Sequence, residues 1–248
     1  MQYAICNLGT VGLRAEPAHT AEMVSQLLYG ETFKVLEERA KWSRIRTSFE
    51  ALEAWVENKQ LHKITEADFE NLTSNALELS ADLMEFVMES DRLIPIPLGS
   101  VLNGVRLLGH QHSGLVSMGN QAKEKLIETA FLYLNAPFLW GGKTPMGIDA
   151  SGFTQMVYKL NGSKLSRNAA DQARQGESLS FIEESEPGDL AFFDGPDGVI
   201  NHVGIIMSDN YIIHADGKVR LDRIDHSGIY NSELRKHTHK LRVIKKII

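Results

Sequence analysis

The sequence predicts an α+β protein in which a small all-β barrel precedes a larger domain of helices followed by antiparallel strands. Two observations carry that prediction. Over residues 1–62, short apolar runs recur about every ten residues with turn residues between them. After residue 121, two amphipathic helical patterns come first and a series of strands comes after them. Length and composition set the bounds: 248 residues, 43% hydrophobic and 23% charged, suit one large domain or two to three small ones. They exclude disordered, collagen-like and fibrous chains.

The barrel strands of residues 1–62 are Tyr3–Cys6, Val11–Arg14, Phe33–Leu36, Trp42–Arg46 and Ala54–Val56. Residues 63–120 have another texture. Phe69, Leu72, Ala76, Leu79, Leu83, Phe86 and Val87 recur at three- and four-residue steps, which predicts an amphipathic helical connector over 64–90. Residues 93–118 hold Pro95, Pro97 and four glycines among short apolar runs, which suggests a few strands of a second, degraded barrel. The third stretch is 121–248. Gln121–Leu134 and Ala150–Leu160 are helical, and Asn161-Gly162 is a stop signal for the second helix. Strands are expected at Asp189–Phe193, His202–Met207, Tyr211–His214, Val219–Arg223 and Lys240–Ile247.

Charge narrows the functional classes. With 26 Lys+Arg against 32 Asp+Glu the net charge is −6, so nothing supplies the dense basic face that a phosphate backbone requires. The one basic cluster, Lys240, Arg242, Lys245 and Lys246, alternates with Leu241, Val243 and Ile244 as a half-exposed strand would. No nucleic-acid partner is expected. No run of about 18 apolar residues exists, so no membrane-spanning helix is expected. The first residues lack the charged and apolar regions of a secretion signal, and the expected location is the cytoplasm. A single cysteine, Cys6, makes neither an internal disulfide nor a cysteine-based zinc site.

The chemistry concentrates in Trp140-Gly141-Gly142, Gly147-Ile148-Asp149-Ala150-Ser151-Gly152-Phe153, Pro187-Gly188-Asp189-Leu190, His202-Val203-Gly204-Ile205 and Ile213-His214-Ala215. In this order they resemble the NlpC-type cysteine peptidases of bacterial cell-wall turnover, over about residues 121–248. Leu13-Arg14-Ala15-Glu16-Pro17, Gly30-Glu31, Trp42 and Ala54-Trp55-Val56 resemble the bacterial Src-homology-3-like domain. The resemblance implies a papain-like catalytic domain behind the barrel. It places the nucleophile at 150, the base at His202 and the orienting group at His214. Asp149 and Ser151 would contact the free amino group of a peptide substrate, with Trp140 as a pocket wall or core residue. The backbone N–H of residue 150 would face the oxyanion, and Phe138 stands where the family has a tyrosine thought to assist there.

Each part has a physical reason. A cysteine attacks as its thiolate, and a helix N-terminus lowers its pKa. A histidine within hydrogen-bond reach takes and returns the proton, and a third polar group holds its tautomer. Thiol–imidazole acyl transfer needs no cofactor, and none is expected. His237 and His239, like His110 and His112, lack the carboxylate partner that would make them convincing metal ligands. Asp149 also suits a plain helix cap.

The nucleophile itself is missing. Position 150 is alanine, and Cys6 lies in the barrel stretch. Ser151 is no substitute, because its hydroxyl is a far weaker nucleophile and projects elsewhere. The barrel-bearing members of the family imply hydrolysis of a γ-D-glutamyl–diamino acid bond, releasing L-Ala-γ-D-Glu from a murein tripeptide or related short cell-wall peptide. A barrel against the cleft would admit only short substrates. Three readings stand: a peptidase whose nucleophile has been changed to Ala150 by engineering, which the retained histidines favour; a natural pseudoenzyme that binds muropeptides; and an amidase or acyltransferase on the same scaffold.

Overall fold

The computed structural model describes residues 2–119 and 121–248, and the chain divides into two compact units, one ending at Gly119 and the other at Ile248.

The first unit opens with β1 (Gln2–Ile5), β2 (Thr10–Arg14), β3 (Met23–Leu28), β4 (Thr32–Glu38), β5 (Trp42–Thr47), β6 (Glu53–Glu57) and β7 (His62–Ile64). They form one antiparallel sheet in the order β3-β2-β6-β5-β4-β1-β7. Alternation drives it: Val11 and Leu13, Phe33 and Val35, and Ala54 and Val56 turn inward onto Ala4, Cys6, Leu27 and Ile45. Cys6 is buried there, its thiol directed at the Leu8 carbonyl at 3.2 Å.

The predicted helical connector is much shorter than its apolar spacing suggests. Helix α1 covers only Glu66–Ser74, capped by the Thr65 hydroxyl, which accepts from the Asp68 N–H at 3.1 Å, and it buries Phe69 and Leu72. The chain is extended again at Asn75. Beyond it come β8 (Leu79–Ser80), β9 (Met84–Glu89), β10 (Arg92–Pro97), β11 (Gln111–His112) and β12 (Val116–Ser117). β9 and β10 make a hairpin in which Val87 pairs with Ile94. In β9 only Val87 is buried while Met84, Phe86 and Met88 are exposed. The hairpin partner therefore decides between two periods that these residues fit almost equally. Behind it Tyr29, Val87, Ile96, Leu102 and Val105 make a separate small core.

The second unit holds α2 (Lys125–Phe131), β13 (Lys143–Thr144), β14 (Gly147–Ile148), α3 (Ala150–Leu160) and α4 (Ala169–Gln172). Its strands are β15 (Glu177–Leu179), β16 (Leu190–Asp194), β17 (Ile200–Ile206), β18 (Tyr211–Asp216), β19 (Lys218–Asp225), β20 (Gly228–Asn231) and β21 (Lys236–Lys246). Helix α3 stops where Gly162, at φ +86°, and Ser163 turn their N–H groups back to the Lys159 and Tyr158 carbonyls. The sheet runs β15-β21-β16-β17-β18-β19-β20, and the long β21 pairs with β20 as well as β16, closing a six-stranded ring. Ala191, Phe193, Ile206, Ile212, Ile224, Ile229 and Ile244 cluster within it. Helix α3 packs on β17 and β18. Among the described residues, no helix is long and apolar enough to cross a membrane.

Candidate active site

Two clusters of polar side chains are built around α3 and its sheet. The first is the N-terminus of α3. Asp149 has extended backbone (φ −96°, ψ 173°) and its Oδ1 accepts from the Gly152 N–H at 2.7 Å, the geometry of an N-cap. Its Oδ2 accepts from the Gly141 N–H at 2.8 Å, which ties the Gly-Gly loop to the helix. Gly152 is required, since a Cβ there would lie 2.3 Å from the Gly142 carbonyl oxygen. The loop is further fixed by the Leu139 N–H donating to Ile148 O and the Ile148 N–H donating to Pro137 O. Ala150, the first helical residue, is buried.

Asp149 is not a free carboxylate. Arg167 grips both oxygens, Nη1 donating to Oδ1 at 2.9 Å and Nη2 to Oδ2 at 2.6 Å, and both side chains are buried. Arg167 Nη1 also donates to the Ser151 hydroxyl at 3.0 Å. The carboxylate and hydroxyl that the resemblance assigns to an ammonium thus also meet a guanidinium, and the carboxylate caps the helix as well.

The second cluster lies on β17, β18 and β19. Gly204 pairs with His214, so His202, two residues along the same face of β17, is the diagonal neighbour of His214. Gly204 is what allows this. A Cβ there would fall 2.9 Å from His214 Cβ and 2.7 Å from Ile212 Cδ1. The two rings meet with His202 Nε2 2.8 Å from His214 Nδ1. His214 Nε2 in turn lies 3.1 Å from Asp222 Oδ2. Arg220 holds the other side of that carboxylate: Nη2 donates to Oδ1 at 3.2 Å, and Nε lies 2.8 Å from Oδ2 without the alignment of a hydrogen bond. His239, from β21, stacks on His202 with centroids 4.1 Å apart and planes 25° apart.

Electrostatics follow from burial. Desolvation lowers the His202 pKa well below the ordinary histidine value, and the nearby His214 and His239 push in the same direction. His239 is lowered as well, first by burial and then by His214. Burial alone would raise Asp222, but hydrogen bonds from His214 and Arg220 outweigh it and hold the carboxyl below its usual range. A neutral imidazole backed by an ionised carboxylate is an arrangement able to accept a proton.

Of the residues singled out in the sequence, the structure brings His202 and His214 together, and Asp149 with Ser151. Trp140 is not a core residue: it is 58% exposed on the Gly-Gly loop, because the backbone on either side of it, at Leu139 and Gly141, is drawn toward Ile148 and Asp149. Phe138 is 40% exposed, and its backbone N–H donates to Gly217 O. The paired histidines of β21 separate: His237 Nε2 lies 2.9 Å from Asp225 Oδ2, and His239 turns to His202. His110 meets the Tyr29 hydroxyl in the first unit. Among the described residues no three His, Cys, Asp or Glu side chains are grouped to hold a metal. Arg167, Asp222 and His239 carry no motif signal. Each is recruited across a strand ladder or a loop, and only alternation in Val219–Arg223 hints that Asp222 shares a face with Arg220.

Residues 135–243 match the NlpC/P60 family, and residues 13–61 match the bacterial dipeptidyl-peptidase Sh3 domain. The chain is 27% identical over 212 residues to the γ-D-glutamyl-L-lysine dipeptidyl-peptidase of Bacillus subtilis, a match spanning 77% of this chain and 71% of that one. It is 28% identical over 233 residues to dipeptidyl-peptidase 6 of Lysinibacillus sphaericus, spanning 82% and 83%. A solved NlpC/P60 family protein from Bacillus cereus shares the fold, with a TM-score of 0.81 at 17% identity over 99% of each chain.

Proposed function

We propose that this chain, an NlpC/P60 protein with a bacterial dipeptidyl-peptidase Sh3 domain ahead of its papain-like domain, carries the site of a cysteine-type peptidase for short cell-wall peptides, with Ala150 standing in the nucleophile's place. The bond is the one between γ-D-glutamate and a diamino acid, and the product is L-Ala-γ-D-Glu. The names of the Bacillus subtilis and Lysinibacillus sphaericus relatives support this substrate class. The observation that carries the reading is the buried, hydrogen-bonded His202–His214 pair on strands packed against the helix that begins at Ala150.

With a thiol at 150, His202 takes its proton and the thiolate attacks the γ-glutamyl carbonyl carbon. The new C–S bond forms as the carbonyl electrons move to oxygen, and the N–H of residue 150 donates to that oxyanion. The amine leaves with the proton from His202. Water, giving a proton to His202, then attacks the thioester carbon; the C–S bond breaks, the sulfur of residue 150 takes that proton back, and L-Ala-γ-D-Glu leaves. Phe138 has no hydroxyl to add at the oxyanion, so the restored enzyme works with a weaker oxyanion site. As it stands, the chain has no thiol at 150 and binds without forming the thioester. The retained histidine pair favours a change from cysteine at this position over gradual decay.

The test restores Ala150→Cys and follows a synthetic L-Ala-γ-D-Glu-L-Lys tripeptide by mass spectrometry. Release of L-Ala-γ-D-Glu is expected, while the unaltered chain binds the tripeptide without turnover. Absence of both release and binding rejects the reading. N-acetylated tripeptide belongs in the same assay: equal rates would remove the free-amine requirement, in keeping with the grip of Arg167 on Asp149.

A further inference from the structure

We infer that Asp222 is a positioning residue that sets which nitrogen of His202 is free to accept a proton, acting through His214 as a two-imidazole relay. Each proton in the chain of hydrogen bonds is fixed by the one before it. A carboxylate only accepts. Asp222 Oδ2 at 3.1 Å from His214 Nε2 therefore requires the proton on that nitrogen. A neutral imidazole carries one N–H, so His214 Nδ1 becomes an acceptor. The atom opposite it, 2.8 Å away, is His202 Nε2, which must then be the donor. His202 is left with a bare lone pair on Nδ1, and that nitrogen is the base.

Two further features keep the relay in this sense. The Arg220 guanidinium donates to Asp222 Oδ1 at 3.2 Å, so the carboxylate presents Oδ2 to His214 and its charge is balanced by a cation on the same strand. Arg220 is itself shared with the exposed Glu233 at 3.4 Å. His239 stacks on His202 and meets His214 edge-on at 5.7 Å, closing the remaining side, and its own Nδ1 is taken by the Thr238 hydroxyl at 2.9 Å. Phe193 covers His202 from β16. The ring nitrogens of His202 and His214 thus have one consistent assignment, and it starts from Asp222. Without Asp222, both directions of the His202–His214 bond are open, and in one of them His202 Nδ1 carries a proton and cannot serve as base.

The assignment rests on the proposed catalytic reading only for its kinetic consequence, so it is tested first on the chain as it exists. Long-range ¹H–¹⁵N spectra of the imidazoles, assigned with single-histidine variants, report the protonated nitrogen directly. Both His202 and His214 are expected as Nε2–H tautomers. Finding either ring as Nδ1–H, or His214 with both nitrogens protonated, in the unaltered chain overturns the inference. In Asp222→Asn the carboxamide oxygen faces Arg220 and its NH₂ group faces His214, so both tautomers are expected to invert. Unchanged tautomers in a folded Asp222→Asn protein overturn it equally. In the Ala150→Cys background, Asp222→Asn should lower kcat by about a thousandfold with little change in KM, the pattern of a base in the wrong tautomer. Inactivity of Ala150→Cys itself, with the tautomers as assigned, would count against the proposed peptidase and leave the relay standing.

Discussion

Replacing Arg167 by methionine should destabilise the second unit by about 3 kcal/mol. The guanidinium and the Asp149 carboxylate are both buried, with side-chain exposures of 3% and 10%, and they meet through two bonds of 2.9 and 2.6 Å. Methionine keeps the length and the apolar stem but leaves the carboxylate without its counterion. Breaking a buried pair from one side costs roughly 3–5 kcal/mol. The lower end applies here, because the Gly141 and Gly152 N–H groups still donate to Asp149 and the start of α3 still favours a negative charge. Urea unfolding followed by circular dichroism measures the cost, and in a thermal scan the transition of this unit should fall by about 10 °C. The double variant Asp149→Asn/Arg167→Met is the control. It keeps a capping oxygen, buries no ion, and should be more stable than Arg167→Met alone. A cost below about 1 kcal/mol for the single variant, or simple additivity in the double, would refute the view that this ion pair holds the Gly-Gly loop to the helix.

Gly204→Ala should cost about 1–3 kcal/mol by overpacking, since the new methyl would sit 2.7 Å from Ile212 and 2.9 Å from His214; urea unfolding measures the cost, and imidazole spectra should show the His202–His214 bond lost. Stability should fall as pH drops below about 6.5, because the unfolded chain then takes protons that the folded His202 and His239, both with lowered pKa values, refuse. That stability is fully present above 6.5 and is lost toward the lower folded values, at up to about 1.4 kcal/mol per pH unit for each ring; His239→Phe should flatten the slope between pH 7.5 and 5.5, and a flat profile in the unaltered chain would exclude it. In Ala150→Cys, the alkylation rate with iodoacetamide should titrate below the ordinary thiol value of about 8.5, and His202→Ala should raise the midpoint. A midpoint at or above 8.5 before the histidine is removed would mean that the helix start does not activate a thiol.

Helix α3 was legible to the residue, from Ala150 to the Asn161-Gly162 stop, because cap, apolar stripe and terminator agree locally. Five strands of the second unit, β16 to β19 and β21, were legible to within a few residues at their starts, because alternation and turn signals are short-range; the short β13, β14, β15 and β20 carry no such signal. Met23–Leu28 escaped notice because Val24, Leu27 and Leu28 are interrupted by Ser25 and Gln26, and Ser25 is buried by its pairing with Leu13. Residues 79–90 misled for a different reason. Their apolar spacing fits a helix and a hairpin, and Ile94 opposite Val87 settles the matter from outside the segment.

Local order along the chain was enough to mark the loop, the helix start and the two histidines, since each belongs to a short string whose neighbours constrain it. Which charges meet was another matter. Arg167 reaches Asp149 across a loop, Asp222 reaches His214 across a hairpin, and His239 arrives from β21, across β16. Those contacts depend on strand register and on how the ring of strands closes, quantities set by many weak packing choices at once. They add an arginine to a carboxylate that the sequence offered both as a helix cap and as an ammonium contact, and a direction to a two-histidine motif.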